Sequence, residues 1–335
     1  EASIDPAVTS IHITLYRLAR NSSVINALMN AARNGKSVTT VVELQARFDE
    51  EANIHWGNKL TDEGVKVIYG VPGLKVHSKL CLITRVKGEV VQRYAAVGTG
   101  NFNEDTARVY TDHLLLTSDK KITNEVLKAF NFFIANYRKD KFYHMLVSPF
   151  GLRNKLVSLI DNEIKNAKAG KEAWIKIKIN NLTDEEIISK LYKAGDAGVD
   201  VRLIVRGMFS MAPGAKGVSE NIRAIGIVDR YLEHSRFMIF CNGSDELVYI
   251  TSADIMPRNL DHRIEVTCPV WDAAIKKEIS DVFSIQWNDN VKARILDVEL
   301  SNTIVGGGET PLRSQTEIHS YYSGISSHPQ TEVTG

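Results

Sequence analysis

The chain has 335 residues, 41 Lys and Arg against 40 Asp and Glu, and a formal net charge of +1 at pH 7. That balance excludes a global basic field for nucleic acid or an anionic membrane, so any polyanion site must be local and no nucleic-acid partner is expected. A hydrophobic fraction of 44% allows a sizeable core in about two domains, no apolar run nears the ~20 residues of a membrane span, and Cys81, Cys241 and Cys268, all in apolar runs, read as reduced thiols of a cytosolic protein.

After a polar lead-in, IHITLYRLA alternates as a strand and delivers Arg17 near its end. SSVINALMNAARNG is a helical pattern capped by Asn21 or Ser22 and closed by Asn34-Gly35. SVTTVVELQA is a buried β-branched strand with Arg47 just past it. Arg17 and Arg47 thus stand at C-terminal strand ends, where open α/β sheets place ligands. A polar helix (RFDEEANIHWGNKLTDEG) and a short strand (VKVIYG) follow.

KVHSKLCLIT is then a buried strand whose His77 and Lys79, two residues apart, are expected on one face. A His and a Lys side by side in an apolar strand need an anionic partner, and phosphate is the obvious one. The turn GTGNFN offers backbone N–H groups and the Asn101 amide to the same anion. DHLLLTS is a strand, and ITNEVLKAFNFFIANY is an amphipathic helix capped by Thr123 or Asp119. KDKFYHMLVSPFG marks a boundary, with a first domain at 1–144 and a second at 145–318.

The second half opens on the long helix LRNKLVSLIDNEIKNAKAG. Strand WIKIKIN, helix DEEIISKLYKAGDAG, strand VDVRLIVRG with Arg206, a Gly/Pro loop and strand IRAIGIV follow. His234-Ser235-Arg236 then repeats His77-Ser78-Lys79, and ELVYITSAD ends at Asp254 where the first copy has Asn101. The interval from His77 to Asn101 is 24 residues and from His234 to Asp254 is 20; the longer hairpin VKGEVVQ accounts for the difference. Arg47 and Arg206 precede their histidines by 30 and 28 residues. The chain therefore reads as an internal duplication of strand–helix–strand–HxK/R strand–strand. One departure is that nothing in WIKIKIN replaces Arg17. The chain ends with strand DHRIEVTCPV, helix DAAIKKEISDVFSIQWND, a short helix at 313–322 and a polar, disordered tail at 319–335.

A lone HxK on a strand is most often structural. The duplication turns that around for His77 and His234, while His12, His55, His113, His144, His262 and His319 read as surface or satisfied histidines. At VHSKL with GTGNFNE, and at IVRG with YLEH, the chain resembles the C-terminal half of bacterial polyphosphate kinases of the first type, over roughly residues 1–320. The resemblance implies an α/β fold of two phospholipase D-like repeats packed as a pseudo-dimer. It implies reversible transfer of the ATP γ-phosphate to inorganic polyphosphate through a phosphohistidine at His77. Arg17 in LYRLA and Arg47 in LQARFDE would be associated with Mg²⁺, and Tyr110 in ARVYTD, Arg206 and His234 would contact the nucleotide phosphates. Arginine has no lone pair for a metal, so the Mg²⁺ association would run through shared phosphate oxygens.

The resemblance further implies upstream domains, one of which contacts the nucleotide base, and the chain begins with Glu1 rather than Met. It also implies a homo-oligomer in the full-length protein and a cytoplasmic enzyme that can sit at the inner face of the membrane; no residue pattern here shows either. In such a site neutral His77 would be the nucleophile, Lys79, Arg206 and Arg236 would hold phosphate oxygens, and His234 would act as second-site acid or phosphate donor group. Two alternatives remain open. A phospholipase D-type phosphodiesterase or nuclease has HxKxxxxD in both halves, but Thr84 and Cys241 stand at the Asp positions, which counts against it. A non-catalytic polyphosphate-binding fragment is the other.

Overall fold

The computed structural model describes residues 1–19, 21–44, 50–137, 140–306 and 310–326. The first half runs β1 (Val8–Leu15), α1 (Ser23–Arg33), β2 (Ser37–Val42), α2 (Glu50–Asp62), β3 (Lys66–Tyr69), β4 (Lys75–Val76), β5 (Lys79–Lys87), β6 (Val90–Gly98), α3 (Glu104–Ala107), β7 (Tyr110–Thr111), β8 (Leu114–Thr117) and α4 (Lys120–Ile134). The second runs β9 (Leu146–Val147), α5 (Leu152–Lys168), β10 (Trp174–Ile179), α6 (Glu185–Asp196), β11 (Asp200–Val205), β12 (Ile222–Ile227), β13 (Leu232–Glu233), β14 (Phe237–Phe240) and β15 (Leu247–Thr251). It continues through α7 (Pro257–Asp261), β16 (Arg263–Ile264), β17 (Val266–Val270), α8 (Ala273–Trp287), β18 (Ala293–Ile295) and α9 (Ser314–Ser326).

Local signals set the helix ends. Ser22 caps α1 by accepting from Ile25 N at 3.2 Å, and Gly35 leaves it with φ 76°. Asp119 caps α4 through Lys121 N and Ile122 N. The strands form a six-stranded sheet, β3-β2-β1-β5-β6-β8, and an eight-stranded sheet, β18-β12-β11-β10-β14-β15-β17-β9.

The duplication holds in register. Leu15 pairs with Val42 as Ile179 pairs with Val205, Ile13 with Cys81 as Ile177 with Met238, and Leu80 with Val97 as Phe237 with Ile250. Lys79 and Arg236 therefore correspond, as do Asn101 and Asp254. The register corrects one pairing: the residue in the place of Arg206 is Glu43, directly after β2, and not Arg47. The counts to the histidines misled because the loops after β2 and β11 differ in length. Arg47 lies outside the described residues. Asn181 stands where the first half has Arg17.

The inner faces of the two sheets share one core. Leu80, Leu82, Val97, Val126 and Phe130 of the first unit pack in one cluster with Phe237, Ile239, Ile250 and Phe283 of the second. Each fully buried aromatic there contributes roughly 1.5–3 kcal/mol, so the two units are held as a pair and whatever lies between them is held with them.

Two runs expected as single strands are broken. VHSKL splits into β4 and β5 at His77-Ser78, and DHRIEVTCPV into β16 and β17 at Glu265. A third break falls at Asp112-His113, between β7 and β8, so the expected strand DHLLLTS starts only at Leu114. Helix α9 reaches Ser326, so the polar tail starts later than 319; residues 327–335 lie outside the described residues. Among the described residues no helix is long and apolar enough to cross a membrane.

Candidate active site

The three strand breaks build the site. Two short parallel ladders cross between the units: β4 with β16 (Val76 opposite Ile264) and β7 with β13 (Thr111 opposite Glu233). Each ladder ends one residue before a histidine on one strand and one residue before a carboxylate on the other. His77 Nδ1 lies 2.9 Å from the Glu265 carboxylate, and His234 Nδ1 lies 2.8 Å from Asp112 Oδ1. Each histidine is thus oriented by an acid from the opposite unit.

His77 does not share a strand face with Lys79 as expected. It sits in the break, where its N–H and that of Ser78 both donate to the Ile264 carbonyl, at 3.0 and 2.9 Å. His234 N donates to the Thr111 carbonyl at 3.2 Å in the same way.

The two acids are themselves held. Glu265 accepts from Ser252 Oγ at 2.5 Å and Asn259 Nδ2 at 2.7 Å, and Asp112 accepts from Thr99 Oγ1 at 2.6 Å. Thr99 and Ser252 occupy the same place in the two repeats. A Cβ at Gly100 would fall 2.0 Å from Asp112 Oδ2, so only glycine leaves room for that carboxylate. The loop carrying Thr99 to Asn103 is tied to α1, whose Ser23 N and Val24 N donate to Glu104 Oε1 at 2.7 and 3.2 Å.

Burial dominates the electrostatics of the histidines. It pushes His77 down to about 4 against the pull of Glu265, with Lys79 and Arg263 adding to the depression. Burial, then Arg236, pushes His234 down to about 4 against Asp112. Burial works to raise Glu265, but His77, Lys79 and the Ser252 hydroxyl outweigh it and its pKa lies below the ordinary value. Both acids are therefore anionic at neutral pH and both histidines neutral, with the proton on the Nδ1 that faces the acid. Nε2 of His77 is left as a lone pair. His234 Nε2 accepts from Arg236 Nη2 at 3.4 Å.

The cations converge on the same place. Lys79 is 2% exposed, donates to the His77 carbonyl and lies 5.3 Å over the Tyr16 ring, whose edge meets His77 at 5.0 Å. Burial pushes Lys79 down to about 7 against Glu265, and Arg236 depresses it further. Arg236 donates from Nε to Asp254 at 3.0 Å and from Nη1 to the Thr99 and His234 carbonyls. Asp254, braced by Asn180 N and Asn181 Nδ2, has its pKa at about 2: burial opposes the drop, and Arg236 and these bonds outweigh it. Arg206 donates to Asn180 Oδ1 at 3.0 Å and to the Glu233 carbonyl; burial and Arg236 lower its pKa. The Tyr110 ring is 5.0 Å from the His234 ring. Asn101 Oδ1 is buried with no hydrogen-bond partner among the described residues.

The structure thus links His77 to Lys79, Lys79 to His234 and Arg236, and Arg236 to Arg206, with Tyr110 against His234 and acting on Arg206. Arg17, two residues past β1, is half-buried and acts on Tyr16 beside His77. Glu265, Asp112, Ser252, Thr99, Asn180 and Arg263 were not foreseen. One signal could have found the acids: His77 to Asp112 is 35 residues and His234 to Glu265 is 31, the same difference of four as in the other repeat interval. His113, expected as an ordinary histidine, has its Nδ1 buried without a partner among the described residues, and burial pushes it down to about 4. Among the described residues no group of three or more His, Cys, Asp or Glu could hold a metal ion.

Comparison with known proteins places this architecture. Residues 1–139 match the family model "Polyphosphate kinase C-terminal domain 1", and residues 145–315 match "Polyphosphate kinase C-terminal domain 2". The chain belongs to the polyphosphate kinase family. It is 54% identical over 326 residues to a polyphosphate kinase of Vibrio parahaemolyticus and 52% identical over 326 residues to one of Escherichia coli. Each match covers 97% of this chain and 47% of the relative, so the chain spans about half the length of the curated relatives it matches. The crystal structure of polyphosphate kinase from Porphyromonas gingivalis superposes with a TM-score of 0.89 at 42% identity, covering 97% of this chain and 50% of that one. A phosphatidylserine synthase from Haemophilus influenzae shares the fold alone, with a TM-score of 0.58 at 9% identity over 97% of this chain and 90% of that one. The paired α/β repeats are the phospholipase D-like fold that the resemblance implied.

Proposed function

We propose that this chain carries the phosphotransfer site of a polyphosphate kinase, moving the ATP γ-phosphate reversibly to inorganic polyphosphate through a phosphohistidine at His77. The observation that carries the reading is the state of His77. It is neutral, its proton is committed to Glu265, and Lys79 and Arg263 act on its ring within a set of cations in which Arg236 depresses both Lys79 and Arg206. Such a cluster is relieved by an incoming polyanion.

The Nε2 lone pair attacks Pγ, the Nε2–P bond forms, and the bond from Pγ to the β-bridging oxygen breaks with its electrons leaving on ADP. A terminal oxygen of polyphosphate then attacks the same phosphorus, the N–P bond breaks, and neutral His77 returns. The Nδ1 proton never leaves, and Glu265 stabilises the positive charge that builds on the ring in both steps. Lys79, Arg206 and Arg236 hold phosphate oxygens, with Tyr110, His234 and Asn101 as further contacts. Charge neutralisation and alignment supply most of the rate in such transfers. Arg17 and Arg47 would hold phosphate oxygens of the substrates, and Mg²⁺, when bound with those substrates, would supply further charge neutralisation there. The division at residues 144 and 145 separates the unit that bears the nucleophile from the unit that orients it.

The test is intact mass and acid/base lability of protein-bound phosphate after exposure to long-chain polyphosphate and Mg²⁺, with His77→Ala alongside. Acid-labile, base-stable phosphate on the parent alone is expected. Polyphosphate binding by both proteins, with no covalent phosphate on the full-length parent, would replace the reading with a binding module.

A further inference from the structure

The outer faces of the two units differ, and the duplication makes the difference informative. In the second unit α5 precedes β10 and covers the outer face of the sheet. Its Leu152, Leu156, Leu159 and Ile160 are buried in one cluster with Ile175, Ile177, Met238, Phe240 and Tyr249. By the strand register, the corresponding residues of the first unit are Ile11, Ile13, Cys81, Ile83 and Ala96. These five line a cavity of about 760 Å³ that opens on the surface beside Glu1. Tyr94, in the place of Leu247, is 38% exposed. Helix α1 turns Val24 and Leu28 toward the cavity, while α6, its counterpart, reaches α5 through the Lys190–Asp161 ion pair at 2.7 Å.

We propose that this groove seats a helix supplied by the segment immediately upstream of Glu1 in the full-length protein, lying on the first unit as α5 lies on the second. Two observations choose that occupant. The second repeat shows that an α/β unit of this design completes its outer face with the helix preceding its first strand. The family models matched are C-terminal domains 1 and 2, and the relatives are about twice as long as this chain, so their additional half lies upstream. The expected helix carries apolar residues at the spacing of Leu152, Leu156, Leu159 and Ile160. Ile11 and Ile13 are already buried, so a covering helix would add its stabilisation over the half-buried Cys81, Ile83 and Ala96 and the exposed Tyr94. The proposal stands apart from the phosphotransfer reading, since no residue of the groove belongs to the site.

Cys81 is the natural reporter, because it lines the groove while Cys241 and Cys268 are buried. Its modification by dithiodipyridine, located by peptide mass spectrometry, is compared in this 335-residue chain and in the full-length protein. Protection of Cys81 by about tenfold or more in the full-length protein is expected. Ala96→Trp, which fills the groove, should lower the Tm of the full-length protein by at least about 2–4 °C but not that of this chain. A synthetic peptide of the upstream segment should protect Cys81 of this chain in trans, and Ala96→Trp should abolish that protection. Equal Cys81 reactivity in both proteins would overturn the proposal. So would concentration-dependent protection in this chain alone with a dimer in sedimentation, which would assign the groove to a second copy. Should Ala96→Trp not fold, the reactivity comparison and the peptide decide.

Discussion

Glu265→Gln is the substitution that most directly probes how this site works. Glu265 is fully buried and serves three donors, His77 Nδ1, Ser252 Oγ and Asn259 Nδ2. Glutamine keeps the shape but offers one oxygen. If that oxygen stays with Asn259, the amide N–H₂ faces His77, whose Nδ1 must then accept; the ring proton moves to Nε2 and the nucleophilic lone pair is lost. The stability cost is that of a charged buried hydrogen bond, about 1.5–3 kcal/mol. The kinetic cost is larger. Replacing the orienting carboxylate of a catalytic histidine by its amide lowers turnover about 10⁴-fold where the wrong tautomer results, which is about 5.5 kcal/mol of barrier.

A fall of about 10³–10⁴ in the rate of phosphohistidine formation from polyphosphate is therefore expected in full-length Glu265→Gln, checked by quenched incorporation of acid-labile phosphate. Burial already keeps His77 neutral at pH 7, and removing Glu265 only lowers its pKa further. Raising the pH should not rescue the variant. Asp112→Asn acts on His234 and leaves the His77 tautomer intact, so its phosphorylation defect should be smaller by at least about tenfold. A Glu265→Gln rate within about threefold of the parent, with His77→Ala inert, refutes the tautomer argument. Equal defects in the two variants refute the assignment of separate roles to the two histidines.

Other outcomes follow from the same geometry. Lys79 stands near 7 in the free site, so polyphosphate binding at pH 8 should take up as much as about one proton per site, read as a buffer-dependent heat in calorimetry; an uptake unchanged in Lys79→Met would sink this. Asn101→Asp copies Asp254 into the first half and should pair with Lys79, weakening polyphosphate binding by about tenfold, roughly 1.4 kcal/mol. Gly100→Ala should displace Asp112 and destabilise by about 1–3 kcal/mol, measurable by urea unfolding. His77, His113 and His234 are held near 4 when folded and titrate near 6.5 when unfolded. Over that window the unfolded chain binds more protons, so stability should rise from pH 4 to 6.5 and level off above, by at most about 1.4 kcal/mol per pH unit for each histidine. A flat urea midpoint across that range would contradict it.

Much of this was legible before any coordinates, because the signals are local. Period-two apolar runs marked the sheet strands, Asn21 or Ser22 and Thr123 or Asp119 marked helix starts, of which the structure uses Ser22 and Asp119, and the repeated His-Ser-Lys/Arg marked the matching segment in both halves. The acids were not legible. Glu265 lies 188 residues from His77 and Asp112 lies 122 from His234; the alternation of Ile264, Val266 and Cys268 runs on past Glu265, and Asp112 reads as the end of a polar loop. Two-residue ladders leave no periodicity, so VHSKL and DHRIEV read as plain strands and their bends were hidden. The pairing of Arg47 with Arg206 failed for a related reason: residue counts run through loops of unequal length, whereas the hydrogen-bonded register puts Glu43 there, with its carboxylate accepting from Val76 N at 2.8 Å just before His77.

The duplication equips both halves alike with a histidine and a trans acid, yet it does not repeat the charge around them. In the second half Arg236 is already neutralised, since Asp254 sits 3.0 Å away and stays ionised down to about pH 2. In the first half Asn101 stands in the place of Asp254, and among the described residues Lys79 makes no ion pair with a carboxylate. A phosphoryl group on His77 Nε2 would place its negative charge beside a lysine whose burial has left it poised to gain a proton. The same group on His234 would meet an arginine whose charge is already answered. The asymmetry argues that the covalent phosphate belongs on His77 and that His234, bonded to Arg236 and flanked by Tyr110, handles phosphate in passing. A repeat made of identical halves would offer no such division, and two equally good acceptors would compete for one phosphoryl group.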